Sequence, residues 1–355
     1  MIVWSPPSAD ALAAAIQRAC TTPGELHQAD NIDAEYPPFS LTSNREKCEA
    51  RRAEYLAFID EHRELLFQAY RLWGDQTSRE LFVGLLLFRA LGHQWVRLPS
   101  NNDAFWQAKR LIDRLPSSRS LLADTDDLAD LRHFDLTLAE ARCRIDCLRA
   151  NLLFTFLLRQ YHLQRGDVTI EPGAGDHVID GGACFGDTAI DFARAVGSRG
   201  RVYSFEVVAR HLEVIRHNLD QNPELQNVQV HPVGLSDRSR DGQVAPRRLD
   251  PGFSVSSDGS VPLQRIDDLV EAGVIERVDL IKMDLEGHEL SALRGAERAL
   301  RRFRPRLAIS LYHRWDDYFR IPLYLDGLGL GYRFYLENYT ISDGETVLYS
   351  EAERC

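Results

Sequence analysis

The sequence has no hydrophobic run that is long enough to cross a membrane. The longest apolar stretches begin at Leu81 and Ala150, and both are far shorter than the roughly twenty residues that a membrane helix needs. The first residues also lack the basic start and the unbroken apolar region of a secretory signal. We therefore expect no membrane partner and a cytoplasmic location.

An excess of basic residues is missing as well. The 355-residue chain has 53 acidic and 42 basic residues, which gives a formal charge of −11. Surfaces that bind nucleic acids are rich in lysine and arginine because they neutralise phosphates. The composition therefore argues against a nucleic-acid partner.

Cysteine pairs with a recognisable spacing are absent too. The six cysteines form no CxxC pair and no disulfide framework, which is typical of a reducing compartment. Cys143 and Cys147 are spaced as one turn of a helix would space them, and we interpret them as small residues on a buried helix face.

Two sequence motifs that bind the phosphates of nucleotides are also missing. If GxGxxG is aligned to begin at Gly182, its second and third glycine positions hold Cys184 and Asp187. A carboxylate at the start of a helix would oppose a diphosphate there. The Walker pattern GxxxxGK[ST] does not occur either, so a phosphate-bearing nucleotide is a poor fit.

Helical patterns dominate the first half of the chain. Three capping-box signatures, "SNRE" at Ser43, "TSRE" at Thr77 and "TLAE" at Thr137, are each followed by apolar residues at helical spacing. They predict an α-helical N-terminal domain over residues 1–165. Its expected roles are an acceptor lid, a peptide-binding element or a dimerisation element.

Residues 166–355 show a different pattern, in which short β-rich runs alternate with helices. The candidate strands are "HVIDGG", "RVYSFE", "VQVHPVGLS", "VDLIKMD" and "RLAISLYH". They predict an α/β fold with a doubly wound parallel sheet. The last segment turns through Asp343 and Gly344 without room for a helix, which predicts a terminal antiparallel hairpin. This layout is that of class I, Rossmann-like methyltransferases.

Carboxylates surround the glycine turn that follows the first of these strands. Asp180 ends the strand, Asp187 opens the next helix, and Glu206 follows the second strand about twenty residues later, where ribose is often bound. S-adenosylmethionine (SAM) carries a sulfonium and an ammonium group and no phosphate. The pattern therefore predicts SAM as the cofactor.

From residue 166 onward the chain resembles the FkbM family of SAM-dependent methyltransferases, most specifically in "IKMDLEGHE". The resemblance implies that Gly182 and Gly186 shape the SAM turn and that Asp284 faces the methionine moiety and the acceptor. It also implies ribose binding by Glu206. The full predicted set of cofactor-binding residues is Asp180, Gly181, Gly182, Ala183, Gly186, Asp187, Thr188, Glu206, Val207, Ser236, Asp237 and Asp284.

Methyl transfer to a hydroxyl needs a base that removes its proton. Candidates at the ends of the fourth and fifth strands are Asp284, Glu286, His288, Glu289 and His313. We favour His313 and Glu286, with Asp284 beside them, as the catalytic residues. An alternative is that Asp284, Glu286, Glu289 and His313 bind a divalent metal ion, but carboxylates beside a cationic cofactor need no metal, and none is predicted.

The expected activity is SAM-dependent methylation of a hydroxyl on a sugar, glycoconjugate or other natural-product acceptor. One alternative is N-methylation of peptide side chains during natural-product maturation, and another is a catalytically silent module that keeps the SAM site. The expected partners are a small-molecule or peptide acceptor, and a homodimer is a further alternative.

Overall fold

The structure is a computed structural model that describes residues 6–21, 31, 45–123, 128–137, 141–239 and 262–353. It consists of two compact units. We call residues 1–106 with 311–355 the helical unit, and residues 107–310 the sheet unit. These boundaries differ from the predicted boundary at residue 165, and the roles predicted for residues 1–165 stay predictions.

The helices are, in chain order, α1 (Ala9–Thr21), α2 (Arg45–Glu61), α3 (Arg63–Leu72), α4 (Gln76–Leu91), α5 (Asp103–Arg114), α6 (Arg149–Asn151), α7 (Asp187–Val196), α8 (Ala209–Asp220), α9 (Ile266–Glu271), α10 (Glu289–Arg294), α11 (Glu297–Phe303) and α12 (Asp317–Gly327). A π-helical segment, Leu152–Leu157, follows α6 directly. None of the helices described is both long and apolar enough to span a membrane.

The strands are β1 (Ser118–Arg119), β2 (Arg132–Asp135), β3 (Arg144–Cys147), β4 (Leu163–Arg165), β5 (Val168–Ile170), β6 (His177–Gly181), β7 (Arg201–Phe205), β8 (Val228–His231), β9 (Gly234–Leu235), β10 (Leu263–Gln264), β11 (Leu280–Met283), β12 (Arg306–Ser310), β13 (Tyr332–Asn338) and β14 (Thr346–Ala352).

The sheet unit is built around parallel strands in the order β12, β11, β6, β7, β8. Helix α7 connects β6 to β7, and α8 connects β7 to β8. The predicted doubly wound parallel sheet is therefore confirmed. Because the strands are parallel, their carboxyl ends lie at one edge, where ligands bind in folds of this type.

The helical unit packs α12 against α3, and α4 against β13. Its core contains the fully buried side chains of Trp73, Phe82 and Tyr318. Strands β13 and β14 pair antiparallel, with Tyr332 opposite Ala352, so the predicted terminal hairpin is confirmed.

The capping box predicted at Thr77 is wrong. Helix α4 is capped by Asp75, whose carboxylate accepts from the Ser78 amide at 2.7 Å, so Thr77 lies inside the helix. Thr137 lies in a turn after β2, and the other three residues of its predicted box lie outside the described residues. In the remaining box, Ser43 lies outside the described residues, and α2 begins at Arg45.

The segment after Thr137 forms a strand where a helix was predicted. Strand β3 pairs antiparallel with β2, which places Cys147 in a strand and not on a helix face. The side chain of Asn218 on α8 accepts from the Asp146 amide and donates to the Asp146 carbonyl. These tertiary contacts outweigh the helix-like spacing, because local periodicity is a weak determinant of short segments.

Candidate active site

The glycine turn lies between β6 and α7 and passes very close to the loop after β11. Gly182 has a φ of +77°, and a Cβ added to it would lie 1.9 Å from the carbonyl oxygen of Asp284. No other residue fits there. Gly186, which has a φ of +82°, directly precedes α7. The turn and the Asp284 loop therefore form one surface at the carboxyl edge of the sheet.

The amide groups of this turn are hydrogen-bonded within the protein. The amides of Gly182 and Ala183 donate to the Phe205 carbonyl at 2.9 and 3.0 Å, and the Cys184 amide donates to Glu206 Oε2 at 2.9 Å. A phosphate-binding turn needs such amides to point at its ligand. The geometry therefore agrees with the poor fit to phosphate-bearing nucleotides.

Asp180 lies beneath the turn and is fully buried. Its carboxylate accepts from Thr188 Oγ1 at 3.0 Å and from Ser204 Oγ at 3.1 Å, and it pairs with Lys282 Nζ at 3.1 Å. Asp180, Ser204 and Lys282 are neighbours in the registers of β6, β7 and β11. In this position Asp180 and Thr188 support the turn through buried hydrogen bonds. A direct contact of either residue with a cofactor stays a prediction.

Lys282 is a buried cation that the sequence did not single out. Its ammonium donates to the carbonyl oxygens of Gly181 and Gly182 at 3.1 and 2.7 Å, in addition to its pair with Asp180. These contacts use its three donor positions. Burial would lower the pKa of Lys282, but the charges of Asp180 and Asp284 raise it above its usual value.

Glu206 closes the turn from the β7 side. Besides the Cys184 amide, it accepts from the amides of Val207 and Val208 at 2.7 and 2.8 Å. Burial alone would raise the pKa of Glu206, but the hydrogen bond and charge of His211 and these backbone amides hold it below its usual value. Glu206 therefore favours its anionic form at the end of β7, and its contact with ribose stays a prediction.

Asp187, the first residue of α7, is a second buried carboxyl group of the turn. It accepts from Asn151 Nδ2 at 3.2 Å and from Thr155 Oγ1 at 2.5 Å. Burial raises the pKa of Asp187 to about 6, and the hydrogen bond from Thr155 opposes the rise only in part. Its charge therefore changes near neutral pH.

The loop after β11 carries the acidic residues that were predicted as catalytic. Asp284 is partly exposed, and its Oδ2 accepts from the Tyr161 hydroxyl at 2.8 Å. Glu286 is exposed and has a φ of +53°. Glu289 is buried at the start of α10, and its Oε1 accepts from the Leu285 amide at 2.6 Å. Glu289 therefore supports the loop, whereas Glu286 reaches solvent.

Ser236 and Asp237 follow β9. Ser236 Oγ lies 3.3 Å from Ser291 Oγ and 3.3 Å from Asp237 Oδ1, and the Asp237 amide donates to Ser291 Oγ at 3.3 Å. A Cβ on Gly295 would lie 1.9 Å from the Ser236 carbonyl, so the loop also passes close to Gly295, which ends α10. Their predicted contact with adenine stays a prediction.

His313 lies in the helical unit, whereas Asp284, Glu286 and Glu289 lie in the sheet unit. Within its own unit, the His313 ring centroid lies 4.2 Å from that of Tyr312. The hypotheses that join His313 to the acidic residues, as bases or as metal ligands, stay predictions. His288 is exposed and directly precedes α10 without a side-chain cap, which fits a surface role.

The carboxyl edge of the sheet is strongly acidic. The charges of Asp180, Asp187 and Asp284 act on the buried Lys282, Glu206 accepts from the Cys184 amide of the same turn, and the turn amides are already bound. Such a site favours a ligand with positive charge and without phosphate. SAM meets both conditions, and the residues present fit it.

The sequence analysis missed four side chains that contact the predicted site residues: Lys282, Tyr161, Thr155 and Asn151. Lys282 stands inside an apolar strand, and a charge at such a position is a signal that could have identified it. The other three lie in a segment whose apolar spacing looks helical, and no local signal marks them.

Comparisons with known proteins agree with this geometry. Residues 180–334 match the family model described as "Methyltransferase FkbM domain". A hexuronic acid methyltransferase, AglP from Haloferax volcanii, is 32% identical over 109 residues, which are 29% of this chain and 44% of that protein.

A crystal structure of an FkbM methyltransferase from Methylobacillus flagellatus KT has a similar fold, with a TM-score of 0.53 and 19% identity. The similarity covers 83% of this chain and 60% of that one. The chain thus spans less than two thirds of the length of either relative. Residues 180–334 are therefore similar in sequence to the FkbM methyltransferase domain, as the sequence resemblance indicates, and the solved structure shows a similar fold.

Proposed function

We propose that the chain transfers the methyl group of SAM to a hydroxyl of a sugar or glycoconjugate. The observation that carries this proposal is the acidic carboxyl edge of the sheet, where four carboxylates surround a glycine turn whose amides are already bound. The match of residues 180–334 to the FkbM domain supports it.

Each group of the turn has a proposed part in holding the cofactor. Glu206, an anion at the end of β7, accepts from the ribose hydroxyls. Ser236 and Asp237 lie toward the adenine, and Asp187 and Asp284 attract the positive charges of the methionine moiety. SAM supplies a methyl group that its sulfonium already activates. The chain mainly has to orient the acceptor and take up its proton.

Glu286 is the base that the sheet unit supports best. It is exposed on the loop after β11, whereas Glu289 is buried and accepts from the loop amides. Its backbone is left-handed, with a φ of +53°, which is an uncommon conformation for a non-glycine residue. We propose that Glu286 removes the acceptor proton, and His313 stays a second candidate.

The hydroxyl of an acidic sugar is the leading acceptor. The relative from Haloferax volcanii is named as a hexuronic acid methyltransferase, and it shares 32% identity with part of this chain. No observation favours N-methylation of a peptide. The amide nitrogen is also a weak nucleophile, so that reaction needs a stronger base than the loop offers.

An acceptor panel tests the proposal. The protein is incubated with SAM that carries a deuterated methyl group, together with hexuronic acid glycosides, neutral glycosides and peptides, and the products are read by mass. We expect one labelled methyl on a glycoside and none on the peptides. Label on peptides alone would contradict the proposal.

Two glycine variants serve as a matched pair in this assay. Gly182→Ala places a methyl group against the Asp284 carbonyl and should abolish transfer. Gly273→Ala has a similar φ of +73° but no atom within 4 Å of the new Cβ, so it should cost only about 1–3 kcal/mol of stability and retain transfer. If both variants transferred the methyl group equally well, the cofactor site would not lie at the Gly182 turn.

A further inference from the structure

We propose that Tyr161 is a positioning residue that fixes the carboxylate of Asp284 in the cofactor site. Tyr161 precedes the FkbM domain, which begins at residue 180, so the chain completes this site with a segment outside the domain. The inference rests on the proposed function, because it concerns the same site.

The contacts of Tyr161 place it between the two charged residues of β11 and its loop. Its hydroxyl donates to Asp284 Oδ2 at 2.8 Å, and its ring centroid lies 5.1 Å from Lys282 Nζ. The side chain is only 3% exposed. A hydrogen bond to a carboxylate is about twice as strong as one between neutral groups. Tyr161 therefore holds Asp284 firmly in one orientation.

The backbone that leads to Tyr161 is unusual in two ways. Tyr161 has a φ of +71°, a left-handed conformation that costs a non-glycine residue about 1–2 kcal/mol. The segment just before it, Leu152–Leu157, is π-helical, a form that appears frequently at functional sites. Strain of this kind persists where the surroundings impose it, and it clusters at binding sites. Here the left-handed backbone of Tyr161 places its side chain in contact with Asp284.

The segment from Asn151 to Tyr161 also contacts the part of the site that lies at the start of α7. Asn151 and Thr155 both donate to Asp187 at the start of α7. The segment from Asn151 to Tyr161 therefore supplies donors to two carboxylates of the FkbM domain, one after β6 and one after β11. Two independent contacts to the same site are more than packing alone would require.

A carboxylate that is already fixed binds a cation more tightly, because less side-chain conformational freedom is lost when the ligand binds. With one oxygen held by Tyr161, Asp284 keeps a constant position relative to the glycine turn, whose Gly182 contacts its backbone. Loss of the Tyr161 hydroxyl should therefore weaken cofactor binding through Asp284 and leave the fold intact.

A double-mutant cycle tests this inference. SAM and S-adenosylhomocysteine are titrated by calorimetry into the wild type, Tyr161→Phe, Asp284→Ala and the double variant. We expect Tyr161→Phe to weaken SAM binding about 10-fold, as loss of one hydrogen bond to a charged group does. In the Asp284→Ala background, where the acceptor of this hydrogen bond is gone, the same change should have no further effect. A merely structural role would weaken both backgrounds equally.

Tyr203→Phe is the matched control, because Tyr203 is also a buried tyrosine of the sheet unit, but its hydroxyl lies 3.3 Å from His177 Nδ1. It should bind SAM like the wild type, and Tyr161→Phe should melt near the wild-type temperature without ligand. Unchanged SAM affinity of Tyr161→Phe, or additive effects in the cycle, would overturn the inference alone. A wild type that binds no SAM would overturn the proposed function and the inference together.

Discussion

Among the described residues, a lysine in the sheet unit and an arginine in the helical unit each form a deeply buried ion pair, and the two pairs have different surroundings. In the sheet unit, Lys282 pairs with Asp180 at 3.1 Å. In the helical unit, Arg89 of α4 pairs with Asp343 at 2.9 Å. Both cations also donate to carbonyl oxygens that follow strands, and both contact a tyrosine ring.

The difference lies in the charge around each pair. The Lys282 pair has Asp187 and Asp284 nearby, so its surroundings carry excess negative charge. The Arg89 pair is enclosed by Tyr55 and Tyr318. Because neutral phenols add no charge, the positive charge of Arg89 is balanced by the negative charge of Asp343. Burial raises the pKa of Tyr318 to about 12, which keeps its phenol neutral. The first pair therefore lies at the proposed cofactor site, whereas the second is a charge-balanced pair in the core of the helical unit.

The Arg89 pair should show the largest effect on stability. Arg89→Met leaves Asp343 buried without its cation, which should lower the free energy of unfolding by about 3–5 kcal/mol, measured in urea. Arg89→Met with Asp343→Asn should recover most of that loss. Arg301→Met, which breaks an exposed pair with Glu297, should cost at most about 1 kcal/mol. If the Arg89 and Arg301 variants lost the same free energy of unfolding, the buried Arg89 pair would have no special structural role.

Asp187 should make the stability of the sheet unit depend on pH. Its pKa of about 6 lies above the ordinary value of 3.8, so the folded state favours the protonated form. Stability should therefore fall as the pH rises from about 4 to about 6, by about 3 kcal/mol for a shift of about two units. Asp187→Asn should remove this fall. An identical pH dependence of unfolding in wild type and variant would contradict it.

The Lys282 pair should affect cofactor binding more than stability when both charges are removed together. Lys282→Met with Asp180→Asn removes both charges of the pair, so its loss of stability should stay below the about 3–5 kcal/mol expected when only one partner is removed. The carbonyl oxygens of Gly181 and Gly182 lose their donor, and SAM binding should weaken at least about 10-fold, or about 1.4 kcal/mol. Wild-type affinity in this variant would show that the pair is only structural.

Removal of divalent metal ions should have the smallest effect. Because Lys282 already provides a cation among the carboxylates, exhaustive chelation should leave the SAM affinity unchanged. Full transfer activity after chelation would also exclude the metal alternative. Loss of activity that is restored by magnesium would favour that alternative.

The fold of the sheet unit could be predicted because its strands are short apolar runs bounded by turns. The runs that end at Gly181, Phe205 and Met283 form strands as predicted. The segment after Thr137 was predicted wrongly because its strand is stabilised by contacts with Asn218, far along the chain. Thr77 failed as a cap because Asp75, two residues earlier, is an equally good cap.

The candidate site could be predicted only where the chain itself brings residues to the strand ends. Glu206 and Asp284 directly follow parallel strands, so topology alone places them at one edge. The role of Lys282 depends on Gly181, which lies 101 positions away, and that of Tyr161 on Asp284, which lies 123 positions away. Sequence patterns describe neighbours along the chain, and such distant partners leave no local trace.

The central claim is that the acidic edge of the sheet unit binds a cation-bearing nucleoside. Calorimetric titration of the purified protein with SAM, S-adenosylhomocysteine, NAD and ATP tests it most directly. We expect micromolar binding of SAM and S-adenosylhomocysteine and no binding of NAD or ATP. Binding of ATP or NAD, or no binding of SAM, would contradict the claim.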